Sequence, residues 1–543
     1  MNGPHIYDSE GELVWSGACL YDNLNVFNFK PVSINGSHFL TFFVSEEERG
    51  SKVVLPERLP SGVLMNNRFE EVSRTYAKGS ILDAHEFNLQ PHGRSTLLTT
   101  LNTVDMDASS IGQKTRRVLN TGFQEVEIDT GKLYFDWDPV TSGIPLNESC
   151  DTTGIASTDM DTAWDHFHIN SVDKFANGDY IISSRHLSAV YRVSHRDGRV
   201  VWKLGGCSSN SDFEMAAGLP FSWQHHATVQ AENETHIVIS VFDNASEDLD
   251  RGEPTGRNPP AGKIIVLDMQ AMTARLLRRF DRPDGGQTAL LGSISALGDD
   301  ISTSHVLVNW AMEGYISEYD ASDRLILEAR FLTDRKRSYR AYKGPFIGDP
   351  AEPPVLKLLP IGFSQDEVVS AFYLSWNGAT AVTSWALYSG ESIDGKTFQH
   401  LATIKKRGFE TSWMMPIMVR YAYAEALDVE HKVLGRTNVA SVAPGFDTDY
   451  RVSYPALEGT RPAGEQSIGT TSDSCFSKTD RLSPSHGQQS RFVIGSKQKS
   501  FTNESRIMFT NFITYTLAVF GLYSIARGII YKTRKRRKGN SLC

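Results

Sequence analysis

Cysteine is scarce in this chain, with five residues among 543. Such a low content excludes a small scaffold held together by disulfides, and a chain of this length can instead bury a large hydrophobic core. A glycine-rich loop leading from a strand into a helix is also absent, which argues against nucleotide binding through such a loop. In an oxidising compartment some cysteines could still pair, and the sequence leaves open which of them do so: Cys19, Cys150, Cys207 and Cys475.

The N-terminus, MNGPHIYDSEGELVW, lacks the apolar stretch of a secretory signal. The C-terminus, in contrast, contains twenty uncharged residues, 507–526, which are enough for one membrane span. By the positive-inside rule the basic tail after it is cytosolic, so we expect a single-pass type I membrane protein with an extracellular or lumenal body. Because that topology needs a signal, we expect the true N-terminal signal to be missing from this sequence. The basic residues of the tail are Arg527, Lys532, Arg534, Lys535, Arg536, Arg537 and Lys538.

Outside that basic tail the chain is acidic, since the whole chain already has a formal net charge of −9 at pH 7. An acidic body argues against nucleic acid as a partner. Acceptor sequences for N-glycosylation fit a glycoprotein of the secretory pathway. They occur at Asn35, Asn147, Asn233, Asn244 and Asn503.

The clearest structural pattern lies in residues 164–206, where four short runs rich in Val, Ile and Tyr alternate with turn signals. Asn177-Gly178 and Asp197-Gly198 favour tight hairpin turns, so this stretch predicts a four-stranded antiparallel sheet. Similar hairpins recur roughly every 50 to 70 residues, which is typical of the blades of a propeller. We therefore predict an all-β protein in which residues 1–335 form a six-bladed β-propeller with a short first blade.

The rhythm of the strands changes after residue 335. Trp376, Trp385 and the alternating run YAYAEAL are typical of an immunoglobulin- or fibronectin-like β-sandwich. A stretch rich in Ser, Gly and Thr then predicts a disordered stalk. The predicted order after the propeller is a sandwich at 336–440, the stalk at 441–503, one transmembrane helix at 504–531 and a basic cytosolic tail at 532–543.

Histidines recur at matching places in three of the predicted blades. His85, His168 and His225 each stand just before the middle hairpin of their blade. The inner strands of a propeller line its central channel, so equivalent positions form a ring of side chains. Asn170 and Arg185 belong to one of these blades and are expected to face the same cavity. Neighbouring histidines are predicted to support the site from outside the channel, and these are His166, His186 and His226.

The pattern HEF, HxHINSV, SSRH and QHxA, together with the repeated G-x-L-V-W hairpins, resembles the arylsulfotransferase family, especially its fungal-type branch. The resemblance covers most of residues 1–435. It implies a propeller that moves a sulfuryl group from an aryl sulfate ester to a phenol, with no cofactor and no nucleotide sulfate donor. It also implies that a channel histidine becomes transiently sulfated. By motif match the sulfated residue is His225, the sulfate-binding residues are His168, Asn170 and Arg185, and a further channel histidine is His85.

Elementary chemistry agrees with these roles. Sulfuryl transfer spreads negative charge over the sulfuryl oxygens and the leaving phenolate, and Arg185 offers a planar fork of donors for that charge. A neutral His225 can attack sulfur and hold the group covalently, which divides the transfer into two steps. The acceptor phenol must lose its proton in the second step, and His85 is the candidate base.

Two other functions fit parts of the same pattern. Three channel histidines could bind a transition metal, although Asn170 and Arg185 would then have no role, and metal analysis of the purified protein separates this case. A membrane-tethered propeller could also be a non-catalytic binding or adhesion module, because a fold does not determine a function. Incubation with a chromogenic aryl sulfate and a phenol distinguishes the enzyme from the module. The sequence carries no indication of the oligomeric state.

Overall fold

The computed structural model describes residues 2–45, 59–151, 162–207, 210–245, 259–333, 335–362, 368–393 and 398–442. Across these ranges the regular structure consists of β-strands and three short 3-10 helices, with no α-helix, so the predicted all-β class is confirmed. The 3-10 helices are Ser109–Ile111, Leu146–Glu148 and Ala311–Glu313.

No helix in the described part of the chain is long and apolar enough to cross a membrane. The predicted span at 507–526, the basic tail and nearly all of the predicted stalk lie outside the described residues. What is described falls into two compact units that divide between Ala351 and Glu352.

Among the described residues, the first unit contains twenty-three strands. In chain order they are β1 His5–Tyr7, β2 Leu13–Ser16, β3 Val26–Ile34, β4 Ser37–Val44, β5 Ser61–Asn66, β6 Glu71–Thr75, β7 Ile81–Leu89, β8 Ser95–Asp107, β9 Thr115–Glu127, β10 Leu133–Trp137, β11 Ile169–Lys174, β12 Tyr180–Ser184, β13 Ala189–Val193, β14 Val200–Gly205, β15 Glu214–Met215, β16 His225–Glu232, β17 His236–Asp243, β18 Ala261–Asp268, β19 Thr273–Asp281, β20 Ser293–Ala296, β21 Val306–Asn309, β22 Tyr315–Tyr319 and β23 Leu325–Arg330.

These strands form five antiparallel meanders, each with four strands in chain order. The meanders are β3–β6, β7–β10, β11–β14, β16–β19 and β20–β23, and β15 joins the fourth by pairing in parallel with β19. The third meander is the sheet that the turn signals in residues 164–206 predict, and Gly178 takes the positive φ of 96° that its turn requires. A two-stranded hairpin, β1–β2, precedes the meanders, which agrees with a short first repeat.

Apolar side chains from consecutive meanders pack against each other. One cluster joins strands of the third and fourth meanders, through residues such as Trp202 and Ile239. Another joins the second and third, through residues such as Phe123 and Ile182. Between the first and second meanders, Gly62 leaves room for the Phe87 ring, because a Cβ at position 62 would lie 1.9 Å from Phe87 Cε2. Each meander therefore buries its faces against its neighbours in the chain.

The first strands of consecutive meanders contact one another, and a segment from the end of the unit reaches all five of these strands. Arg340 donates to Asn28 of β3 and Glu86 of β7, and also to the carbonyl oxygen of Asn170 in β11. The same segment contacts β16 through Tyr342 and β20 through the backbone of Ala341. Residues 336–351, which the sequence assigns to the second domain, thus belong to the first unit.

The second unit contains two antiparallel sheets, with strand orders β24-β25-β28 and β27-β26-β29-β30, and β31 pairs with β29. Buried residues of both sheets form one core, in which Trp385 is almost completely buried and Trp376 packs at the side. The strands are β24 Val355–Ile361, β25 Val369–Ser375, β26 Ser384–Gly390, β27 Gln399–Lys405, β28 Glu410–Met415, β29 Tyr421–Leu427, β30 Val433–Arg436 and β31 Ala440–Ser441.

Candidate functional site

The first strands of four meanders each carry a β-bulge near their start, at Phe27/Lys30, Leu82/Phe87, Ile169/Ser171 and His225/Thr228. A bulge adds a residue to one strand and redirects the side chains around it, which is why bulges are common beside active sites. His85 lies inside its bulge, whereas His168 immediately precedes β11 in a left-handed conformation, with a φ of 53°. The irregular backbone therefore directs the predicted site residues.

Three histidines from these strands lie close together. The ring centroids of His85 and His168 are 4.8 Å apart, and those of His168 and His186 are 4.6 Å apart. Burial, and then the charges of Arg185, His168 and His85, lower the pKa of the His225 imidazole, so these groups lie near one another. The structure thus brings together the three histidines that the sequence predicts to line a channel.

Two of these histidines are hydrogen-bonded to a carboxylate. His85 Nδ1 lies 2.6 Å from Asp83 Oδ2, and His168 Nδ1 lies 2.5 Å from Asp165 Oδ2. Burial lowers the pKa of His85, but the charge and hydrogen bond of Asp83 outweigh burial, so the net pKa is raised.

In the second pair, His168 with Asp165, the pKa of the histidine is lowered instead. Burial, then the positive charges of His85 and Arg185, hold the pKa of His168 well below its ordinary value. Burial also raises the pKa of Asp165. When the proton of the hydrogen bond between Asp165 and His168 lies on the carboxyl oxygen, the hydrogen of the neutral His168 ring lies on Nε2. His168 can then donate that hydrogen to a ligand.

The third histidine faces an amide. His225 is almost completely buried, and its Nδ1 lies 2.7 Å from Asn244 Oδ1. Burial, and then the Arg185 guanidinium, hold the pKa of His225 well below its ordinary value. His225 is therefore a neutral imidazole at neutral pH.

Arg185 is held in place by two aromatic neighbours. Its Nη1 donates to His186 Nε2 at 2.9 Å, and its guanidinium carbon lies 4.7 Å from the centre of the Trp223 ring. His186 in turn donates from Nδ1 to the backbone oxygen of Asp165. A guanidinium packed on an aromatic face loses little freedom when it binds an anion, so the site holds a pre-oriented cation.

Asn170, predicted as a sulfate contact, lies at the start of β11. Its side chain is fully buried, and its Nδ2 donates to the backbone oxygen of Gln224 at 2.7 Å. Through this bond Asn170 joins the start of β11 to the residue before His225. Its role in binding sulfate stays a prediction.

The histidines predicted to support the site have distinct surroundings. His166 is fully buried against Trp164 and Phe167, and burial lowers its pKa to about 4. His226 contacts the backbone of Ile294 through Nδ1 and the Tyr342 hydroxyl through Nε2, at 3.1 and 3.4 Å. His226 also faces a separate polar cavity of about 280 Å³, which is lined in part by Lys30, Glu86, Asn88, Asp173 and Tyr342.

A disulfide between Cys150 and Cys207 lies beside the site. The backbone N–H of Cys150 donates to the carbonyl oxygen of His186 at 2.7 Å, so the bridge ties down the residue that contacts Arg185. Closing a loop across 57 residues stabilises the fold by about 4 kcal/mol through loss of unfolded-chain entropy.

The described residues contain one group with the spacing of metal ligands. Donor atoms of Asp165, His168 and His186 lie within 4.8 Å of one another. However, His186 Nε2 already accepts a hydrogen bond from Arg185. A metal ion at this position would therefore have to displace the guanidinium.

The sequence did not point to several residues that shape the site, namely Asp83, Asp165, Trp223, Asn244, Arg340 and Tyr342. Asp83 and Asp165 precede His85 and His168 by two and three residues, and this spacing is the sequence feature that indicates them as carboxylate partners. Asn244 belongs to an acceptor sequence for N-glycosylation, yet its side chain is fully buried and bonded to His225. The folded structure leaves no space for a glycan there, whereas Asn35, Asn147 and Asn233 are exposed.

Comparison with known proteins gives one match to a family and several to solved structures. The model of the family described as arylsulfotransferase (ASST) matches residues 63–332, which contain every histidine of the site, and this match supports that family. None of the curated proteins matches the chain.

Solved structures are similar only at low identity. A protein of unknown function from Bacteroides caccae is 10% identical, with 59% of this chain and 90% of that chain covered and a TM-score of 0.23. A catalytically inactive virginiamycin B lyase from Staphylococcus aureus with quinupristin is 9% identical, with 68% and 80% covered and a TM-score of 0.29. A functionally unknown protein from Desulfotomaculum acetoxidans is 12% identical, with 77% and 90% covered and a TM-score of 0.28.

Proposed function

We propose, from the arylsulfotransferase match as the premise, that this protein transfers a sulfuryl group from an aryl sulfate ester to a phenolic acceptor through a sulfated histidine. The observation that carries the proposal is the grouping of His85, His168 and His225 around a buried, pre-oriented Arg185. A neutral nucleophile, a cation for the sulfuryl oxygens and a histidine of raised pKa are the groups that such a transfer requires.

In the first step the aryl sulfate binds with its oxygens toward Arg185 and, when it carries a hydrogen, Nε2 of His168. His225 Nε2 forms a bond to sulfur, the bond between sulfur and the aryl oxygen breaks, and the electron pair leaves with the phenolate. In the second step the acceptor oxygen attacks sulfur and the nitrogen–sulfur bond returns its electrons to His225. The proton of the acceptor passes to His85, whose pKa is raised by Asp83.

The direct test is incubation with a chromogenic aryl sulfate and a phenol. We expect release of the coloured phenol to depend on the acceptor and to be matched by formation of the sulfated acceptor. A non-catalytic binding module would bind aryl sulfate or another ligand without turnover.

Asp83→Asn is expected to move the acid limb of the pH–rate profile to lower pH. A base acts only when it is unprotonated, and the Asp83 carboxylate raises the pKa of His85, so removing that charge lowers the pKa of the base. The measurement is kcat/KM for the phenol acceptor across pH. Asp268→Asn is a suitable control, because Asp268 faces His236 at 3.7 Å on the surface, away from the site. If the acid limb of the Asp83→Asn variant lies at the same pH as that of the wild-type protein, His85 is not the base.

We also propose that the first unit is the predicted six-bladed propeller and the second the predicted immunoglobulin- or fibronectin-like sandwich. The central segment 339–342 contacts the first strands of all five meanders, as expected when blades radiate from one axis. The β1–β2 hairpin supplies a sixth element, since Tyr7 contacts Phe331 after the last meander while Trp15 packs on Phe29 of the first.

The membrane topology is a separate proposal, supported by the uncharged stretch at 507–526, the basic tail and the Cys150–Cys207 disulfide, which is typical of oxidising compartments. Protease added to intact cells that express the full-length protein is expected to degrade the first unit and to spare the tail. Glycans are expected only at the exposed acceptor sites. Protection of the first unit together with cleavage of the tail would show the opposite orientation.

A further inference from the structure

The partners of the three site histidines differ in a way that the proposed reaction explains. His85 and His168 each face a carboxylate, whereas His225 faces the amide of Asn244. An amide oxygen carries no net charge that would stabilise an imidazolium, and it accepts only from a ring nitrogen that carries a hydrogen. The residue that has to act as a neutral nucleophile is the one whose Nδ1 faces an uncharged partner.

The orientation of the Asn244 amide is determined by its other contacts. Its Nδ2 donates to the carbonyl oxygens of Thr288 and Leu291, at 2.9 and 3.0 Å. Both amide hydrogens are thereby used, so the oxygen is the atom that faces His225 Nδ1. An amide oxygen can only accept, and His225 must therefore carry its hydrogen on Nδ1.

A second contact supports the same tautomer. The backbone N–H of Leu291 donates to His225 Nε2 at 3.3 Å, which requires a lone pair on that nitrogen. Leu291 holds a left-handed backbone with a φ of 62°, which is unfavourable for a residue with a branched side chain. This N–H has to leave Nε2 before sulfur can approach, so the Thr288–Leu291 loop both orients and covers the nucleophile.

We propose that Asn244 is a positioning residue that holds the Nδ1–H tautomer of His225 and directs the Nε2 lone pair at sulfur. This inference rests on the proposed function. When Nε2 bonds to sulfur, the hydrogen stays on Nδ1 in its bond to Asn244, and the leaving phenolate takes the electron pair of the broken sulfur–oxygen bond. When the acceptor oxygen later bonds to sulfur, the pair of the nitrogen–sulfur bond returns to Nε2 and the same tautomer is restored.

Asn244→Asp tests the proposal with a side chain of the same size. The charged groups that face His225 are Arg185, His168 and His85, and the substitution adds a carboxylate at Nδ1 that raises the pKa of His225. The burst of coloured phenol, which reports the first step alone, is expected to have its acid limb about 1 to 3 pH units higher, with the rate recovered at high pH. Asn244→Ala, which cannot accept a hydrogen bond, is expected to lower the burst rate at every pH.

Nitrogen NMR of the histidine rings in the intact wild-type protein provides a measurement that needs no variant to fold. We expect His225 to show a hydrogen on Nδ1 and none on Nε2 at neutral pH. A hydrogen on Nε2, or an unchanged acid limb in a folded Asn244→Asp variant, would overturn the role of Asn244. The proposed function would still stand in that case if the wild-type protein turns over aryl sulfate. Absence of turnover and of the burst in the wild-type protein would instead overturn the proposed function itself.

Discussion

His225→Ala is expected to reduce aryl sulfate turnover by at least about 10⁴-fold, because it removes the atom that, in the proposed mechanism, carries the sulfuryl group between donor and acceptor. His168 and His85 are not equivalent to it, since Nδ1 of each lies beside an aspartate, whereas Nδ1 of His225 lies beside the Asn244 amide. The measurement is the steady-state rate with a chromogenic donor and a phenol, together with the melting temperature.

His226→Ala provides the matched control. This neighbour is also a buried histidine, and its loss likewise removes contacts, here to Ile294 and Tyr342. We expect it to lower stability about as much as His225→Ala while retaining the two-step reaction. If His225→Ala retained turnover and His226→Ala lost it, the nucleophile would be His226 and not His225.

Arg185→Lys is expected to reduce kcat/KM for the aryl sulfate by about 10²-fold or more. An ammonium keeps the charge but loses the planar fork that matches sulfuryl oxygens and the stacking on Trp223. A moderate loss of stability accompanies the loss of rate, because Arg185 is buried and donates to His186.

Arg192→Lys separates the two effects. Arg192 lies in the same meander, stacks on Phe175 at 4.5 Å and pairs with Asp179 at 2.8 Å, so it is a similar stacked arginine outside the site. We expect Arg192→Lys to lower the melting temperature but to leave kcat/KM near the wild-type value. Equal rate losses in both variants would show that Arg185 acts through stability alone.

Local pattern was sufficient to predict the strands and the clustering of His85, His168 and His225. The turn at Asn177-Gly178 and the matching places of His85, His168 and His225 are properties of short segments, and the structure shows both. The first meanders and their order follow from the same repeated hairpins.

The partners of these residues are distant in the chain, and no short pattern contains them. Arg340 meets Asn28 across a sequence separation of 312 residues and Glu86 across 254. Asn244 reaches His225 only because β17 returns beside β16. The direction of the Asn170 amide likewise depends on the neighbouring strand, so its predicted sulfate contact could not be checked from sequence.

The covalent intermediate is the central claim, and the most direct measurement is the mass of the protein after exposure to the aryl sulfate donor alone. An alkaline quench is needed because a nitrogen–sulfur bond to histidine is labile in acid. We predict one added sulfuryl group on the peptide that contains residues 223–227, absent in His225→Ala and present in His226→Ala. A wild-type protein that turns over donor and acceptor without ever acquiring this mass would contradict the account and indicate direct transfer between the two substrates.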